Sequence, residues 1–284
     1  MFIVVGYLVV IGAVFGGFSL LGGHLAVLLQ PVELLMIGGA AAGAFLVGNN
    51  NKAIGATLKA LPRAFKGSKY TKKLYFELLA LLYDILAKTR KHGLLSIEPD
   101  IEDINSSAIF EKYPDILKDH EITEFIIDYL RMMVSGSLNS AELEQLMDVE
   151  IDTHHHEAEV PAQAIGKLGD ALPAFGIVAA VMGVVHTMES LHLPPRDLGI
   201  LIAHALVGTF LGILLAYGFV GPLGPRLAQG ASESTKMLEC IKVTLLASLN
   251  GYSPQVAVEF GRKTLYSTDR PSAQELEDYI KSTK

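Results

Sequence analysis

Tryptophan is absent from the 284 residues, and Cys240 is the one cysteine. A lone cysteine excludes an internal disulfide and fits a reducing compartment. There is no G-x-x-x-x-G-K-[ST] loop and no G-x-G-x-x-G after a strand-like run, which argues against nucleotide-driven work. H-E-x-x-H and paired-cysteine metal patterns are missing as well. No stretch alternates apolar and polar residues over a useful length, so strands are not expected. The most consequential shortage is of charge. From Met1 to Asn51 the only charged side chain is Glu33, and from Ala171 to Pro225 the only ones are Glu189, Arg196 and Asp197.

Those two regions hold four apolar runs, residues 3–21, 31–48, 172–188 and 198–220. Each reaches or approaches the roughly 20 residues that carry a helix across about 30 Å of hydrocarbon. The expected class is an all-α integral membrane protein with four transmembrane helices. Its cytoplasmic domain is helical and built from the loop between spans two and three and the C-terminal segment. Residues 1–48 form an outer hairpin, 49–171 a cytoplasmic helical domain, 172–222 the second pair of spans, and 223–284 C-terminal cytoplasmic helices. Of the 23 Lys and Arg residues, 14 lie in 52–170 and 8 in 226–284. The positive-inside rule therefore puts both polar parts and both termini in the cytoplasm. The first apolar run starts at Met1 without a basic leader, so no cleaved signal peptide is expected.

Local signals organise the rest. Gly22–Gly23 marks the hairpin turn, and Pro31 suits the first turn of span two. Small residues recur at four-residue spacing in every span: Gly12/Gly16, Gly39/Gly43, Ala179/Gly183 and Gly208/Gly212. Such pairs let helices approach closely in lipid. In the long loop, one helix is expected from about Thr71 to His92, with Leu74, Leu78, Leu81, Leu82 and Ile85 on one face and Gly93 as its stop. A second runs from about Glu121 to Val134. A third starts at Asn139, where Glu142 completes a capping box, and continues with interruptions toward Leu172. Ser253–Pro254 opens another helix, and Ser272 with Glu275 caps a short terminal one. Tyr7 and Tyr217 are candidate interfacial anchors.

Few residues carry chemistry. His154, His155 and His156 cannot converge on one ion, because neighbours on a helix point about 100° apart, so solvated surface is expected. No Asp, Glu, Lys or Arg sits in the middle of a span. A proton carrier needs an intramembrane titratable group, so any such carboxylate has to come from another chain. Glu33 is read as a helix N-terminal charge and His204 as a hydrogen-bonded packing histidine. Pro173 starts span three and Pro222 ends span four at the same depth. Ordinary helix punctuation and a paired flexible break are both open. The run Lys88–His92, with Glu98, Asp100, Glu102 and Asp103 just after it, is either a solvated turn or a charged docking surface.

Longer motifs carry a resemblance. They include Gly6-Tyr-Leu-Val-Val, Val47-Gly-Asn-Asn-Asn, Thr57-Leu-Lys-Ala-Leu-Pro62 and Asp128-Tyr-Leu-Arg131. The most specific are Leu172-Pro-Ala-Phe-Gly-Ile-Val-Ala-Ala-Val-Met-Gly183 and Val207-Gly-Thr-Phe-Leu-Gly-Ile-Leu-Leu-Ala-Tyr-Gly218. Asn250-Gly-Tyr and Val258-Glu-Phe-Gly-Arg-Lys-Thr-Leu-Tyr266 complete the set. Over essentially its whole length the chain resembles the MotA family of flagellar stator subunits. The resemblance implies a homopentamer in the bacterial inner membrane around a MotB dimer, whose membrane helix supplies the proton-binding aspartate. MotB is held to peptidoglycan, and the proton motive force drives torque on the rotor protein FliG. Spans three and four would face MotB. It further implies that Arg90 and Glu98 engage FliG, that Pro173 and Pro222 couple ion flow to movement, and that Ala180 and Thr209 line the ion path. Ala180 stands where sodium-driven relatives usually carry Thr, which favours protons as the coupling ion. No enzyme activity, cofactor or nucleic-acid partner is expected. The alternative is an ExbB/TolQ-like energiser of envelope transport, from which four spans and the Arg90/Glu98 loop differ. A stand-alone carrier lacks its titratable midplane residue.

Overall fold

The computed structural model describes residues 2–283, and no strand occurs among them. Ten principal helices follow in chain order: α1 Phe2–Leu20, α2 Pro31–Gly48, α3 Asn51–Phe65, α4 Lys72–His92, α5 His120–Ser135, α6 Ser140–Glu189, α7 Pro195–Ile213, α8 Leu223–Leu249, α9 Pro254–Thr264 and α10 Ala273–Ser282. Four long apolar helical segments meet the requirement for crossing a membrane. The chain divides into two compact units. One holds the chain up to Gly67 with Ala158–Gly230, the other Ser68–Glu157 with the chain from Ala231. The first therefore extends past the apolar runs into polar sequence on every side.

In the membrane unit, Ile37 and Ala41 of α2 pack with Leu172, Ala179, Val207, Leu211 and Ala216. A second cluster joins Ala64 of α3 to Ile165 and Leu223, with Ile3, Tyr7 and Leu61 against it. Helix α3 is an element the sequence reading lacked; Asn50 caps it by accepting a hydrogen bond from the Ala53 amide at 2.8 Å. Two π-helical segments interrupt the spans, Gly12–Gly16 in α1 and Leu214–Val220 after α7. In the latter, the Gly221 amide reaches the Ala216 carbonyl at 2.7 Å, and the Tyr7 hydroxyl donates to the Phe219 carbonyl at 2.8 Å. A backbone carbonyl of the wide turn is hydrogen-bonded from a neighbouring helix. Tyr7 is thus a polar clasp between helices, whereas Tyr217 is exposed.

The other unit is a leucine-rich core around α4. All five residues expected on its apolar face are buried. Burial continues round the helix to Tyr75, Leu79, Ala80 and Leu86, so α4 is a central helix and not an amphipathic one. Thr71 caps its start and Gly93, at φ 85°, ends it. Leu143, Met147 and Ile151 of α6, with Met237, Ile241 and Leu245 of α8, complete the core. Cys240 is fully buried there, and burial pushes its thiol up to about 12. Helix α5 ends at Gly136, in the left-handed region at φ 62°. Both capping boxes form: Asn139 with Glu142, and Ser272 with Glu275.

Two expectations need correction. Helix α6 runs 50 residues without a break and passes through Pro161 and Pro173. The interruptions do not form, because a proline removes one backbone hydrogen bond while packing on both sides keeps the axis helical. Pro173 consequently lies inside a helix and does not start one. The histidine triplet is not all solvated surface. His154 sits 2.7 Å from a Glu121 carboxylate oxygen and shares a hydrogen bond with Ser234, and His155 meets the Thr235 hydroxyl at 3.0 Å. They lie where α6 packs on α8; His156 alone is strongly exposed.

Candidate functional sites

In the membrane unit, α6 and α7 are held together through residues that have almost no side chain. A Cβ on Gly212 would lie 2.7 Å from the Gly176 Cα and 2.8 Å from the Leu172 carbonyl oxygen. One on Gly176 would lie 2.9 Å from the Gly208 carbonyl oxygen, and one on Gly183 2.9 Å from the Ala205 Cα. The ladder continues past the π segment, where Gly169 faces Gly221 and Gly224 faces the Ala162 carbonyl. Backbone-to-backbone contact of this kind is how helices associate in lipid, where burying apolar side chains offers little gain. By contrast, Gly12, Gly16, Gly39 and Gly43 in the first two spans meet nothing within 4 Å. Of the small-residue pairs at four-residue spacing, those of the second pair of spans therefore make backbone contact within the chain and the glycine pairs of the first two spans do not.

The ladder fixes the sequence-predicted residues. Gly208 abuts the Ala180 amide, and Thr209 is its neighbour in α7, so Ala180 and Thr209 occupy one level of the helix pair, both half-buried. Pro173 follows Leu172, whose carbonyl abuts Gly212; Pro222 follows Gly221, which abuts Gly169. The π segment lies on the opposite helix of the pair, between Gly212 and Gly221. Nothing in composition signals a π turn, which is why sequence reasoning missed it. The outward face of α6 carries Ile177, Val181, Met182 and Val185, each more than half exposed. Such a face suits lipid or another apolar helix.

Titratable groups are few here. Glu33 is half-buried, and its enclosed Oε2 has no hydrogen-bond partner among the described residues. His204 is half-buried too, but its expected hydrogen bond is absent among the described residues. His186 and Glu189 approach to 3.9 Å at the exposed end of α6.

The charged loop of the other unit has a fixed base and a free rim. Arg90, Lys91 and His92 close α4 in solvent, where cations complement the helix dipole. A single 3₁₀ turn, Leu94–Ile97, leads to Glu98, the exposed first residue of a short helix ending at Glu102. Ile97 and Ile101 anchor this segment in the core. Asp100, 7 % exposed, takes Lys88 Nζ at 2.5 Å on one oxygen and the Ser107 hydroxyl at 2.7 Å on the other. Lys88 and Asp100 therefore do not belong to the solvated charge run. They tie the end of α4 to the following loop and leave Arg90 and Glu98 presented on its outside.

The profile described as Motility protein A N-terminal matches residues 4–93, and that of the MotA/TolQ/ExbB proton channel family matches residues 118–240. Motility protein A of Salmonella typhimurium is 59% identical over 284 residues, covering 100% of this chain and 96% of the relative. The chain belongs to the motility protein A family. Motility protein A of Escherichia coli is likewise 59% identical over 100% of this chain and 96% of its own length. Chemotaxis protein LafT of Vibrio parahaemolyticus is 34% identical, covering 97% and 96%. Among solved structures, the Campylobacter jejuni MotAB structure aligns with a TM-score of 0.79 at 22% identity, covering 95% of this chain and 98% of that one, a likeness of fold. Full-length identity to motility proteins disfavours the envelope-energiser alternative.

Proposed function

We propose that the chain is the proton-conducting, torque-transmitting half of a stator complex. Five copies surround a MotB dimer in the bacterial inner membrane, with both termini in the cytoplasm, and the proton motive force turns the assembly against FliG. The observation that carries this reading is a helix pair at backbone contact with an apolar outer face and no acid or base at mid-span. A charge crossing 100 mV releases about 2.3 kcal/mol, and it needs a titratable carrier in the path. The partner helix supplies that carboxylate, which agrees with the MotAB composition of the structures that share this fold.

Ala180 and Thr209 line the path at the Gly208 level, the small methyl leaving no second hydroxyl, which favours protons as the coupling ion. Pro173 and Pro222 flank the π segment, an irregular turn of the kind frequent at functional sites. Proton arrival on the partner shifts this stretch, and the continuous helices α6 and α8 carry the shift onward. Arg90 and Glu98 steer the encounter with FliG. Exposed charges add little affinity but set partner choice and register, which suits a contact made and broken at each step. The protein acts as a machine part and not as an enzyme, with protons in place of a cofactor.

The test is cytoplasmic pH in cells that express this chain with an unplugged MotB. Acidification should require both chains and disappear when the MotB membrane aspartate becomes Asn. A well-assembled complex that leaves cytoplasmic pH unchanged under a proton gradient overturns proton conduction.

A further inference from the structure

Only two residues, Asn49 and Asn50, separate the end of the membrane span α2 at Gly48 from the start of helix α3 at Asn51. Its inner side is settled: Ala64 is buried against Ile165 and Leu223, and Leu61 packs beside it. Its outer side is not that of a water-facing helix. Leu58 is 60% exposed, Phe65 is 42% exposed, and Pro62 is exposed between them. At 100° per residue these three fall within an arc of roughly 60°. Lys52, Lys59, Arg63 and Lys66 fall within a second arc of roughly 60° beside it. All four cations are exposed and none forms an ion pair among the described residues. The surrounding sequence has no acid at all between Glu33 and Glu77.

We propose that this face of α3 binds anionic phospholipid headgroups of the leaflet in which α2 ends. Leu58, Pro62 and Phe65 enter the acyl boundary, and the four cations hold headgroup phosphates. Two features select lipid over other occupants. The helix is continuous with a membrane span, so its start lies at headgroup level, and its charge is of one sign with an apolar strip alongside, the pattern of helices that lie in an interface. A basic residue near an anionic surface gains a modest attraction, and four of them in one arc add. The inference needs only α2 as a span; it does not depend on the coupling ion.

The test uses the full chain in its native assembly, reconstituted in phosphatidylcholine vesicles. Spin-labelled phosphatidylglycerol and spin-labelled phosphatidylcholine report which lipid is motionally restricted by the protein. Phosphatidylglycerol should be preferred by about three- to tenfold, and the preference should shrink in roughly 0.5 M salt. In a variant with Lys52→Gln, Lys59→Gln, Arg63→Gln and Lys66→Gln it should fall close to one. If that variant does not assemble, Lys59→Gln and Arg63→Gln singly carry the test, each expected to lower the preference by about 1.5- to 2-fold. Equal restriction of the two lipids by the native protein, or a preference that survives loss of the charges, overturns the proposal. Equal restriction together with crosslinking through position 58 to a second copy assigns the face to a protein neighbour.

Discussion

The two units of this chain are held by opposite means. In the membrane unit the decisive contacts are made by residues without side chains: Gly176, Gly183, Gly208 and Gly212 bring two helices to backbone contact, and no ion pair joins one span to another among the described residues. In the other unit the large side chains do the holding. Leu78, Leu79, Leu81 and Leu82 are wholly buried, as are Phe110 and Tyr129, and charged groups such as Asp100 are enclosed with partners. The surrounding solvent explains the difference. Water makes leucine burial favourable at about 25 cal/mol per Å². Lipid removes that gain, so close approach and dispersion decide. The membrane unit also contains its own contrast, since the same four-residue glycine spacing is filled in the second pair of spans and open in the first.

Steric substitution should sharpen that contrast most. Gly212→Leu forces a side chain against the Gly176 and Leu172 backbone, which cannot yield as a side-chain tip would. We expect a loss of about 3 kcal/mol or more and failure of the complex to assemble, read by thermal unfolding in detergent and by co-purification. Gly39→Leu, on open surface, should change subunit stability by less than about 0.5 kcal/mol. Equal effects of the two would abolish the distinction between the span pairs.

The next effect belongs to the polar unit. Asp100→Ala leaves Lys88 and Ser107 without their partner and should cost about 2 kcal/mol in thermal unfolding. Arg90→Glu, on the rim of the same loop, should leave unfolding unchanged while impairing swimming, with partial rescue by a charge reversal in FliG. A destabilised Arg90→Glu protein would make Arg90 a structural residue.

The smallest effect is acid sensitivity. Lys72, then the Ser272 amide, hold the Glu275 carboxyl at about 2, and Lys73 with Lys118 hold Asp115 at about 2. Both carboxyls sit lower than in an unfolded chain. Their contribution is therefore complete above the ordinary carboxylate range and fades as pH falls from about 4 to about 2. A pH series of unfolding should show a shallow loss in that window, reduced by salt because the pairs are exposed. A series that is flat from pH 5 to 2 would show that these surface pairs hold nothing.

Sequence alone determined whatever depends on local pattern. Charge-free runs mark the spans, Gly93 and Gly136 mark helix ends, and Asn139–Glu142 and Ser272–Glu275 mark helix starts, because each acts within a few residues. The long motifs identified the family. Only tertiary structure decided which glycine spacing is a contact, since Gly39 and Gly212 have the same local signature and differ in what lies opposite. It also decided that α6 passes through Pro173, that Asp100 turns inward to Lys88 and Ser107, that His154 is held by partners distant in sequence, and that Tyr7 bonds a carbonyl of the widened Leu214–Val220 turn. These are settled by neighbours that a linear pattern does not contain: a packed helix can outweigh a proline, and a buried partner can turn a surface-like charge inward.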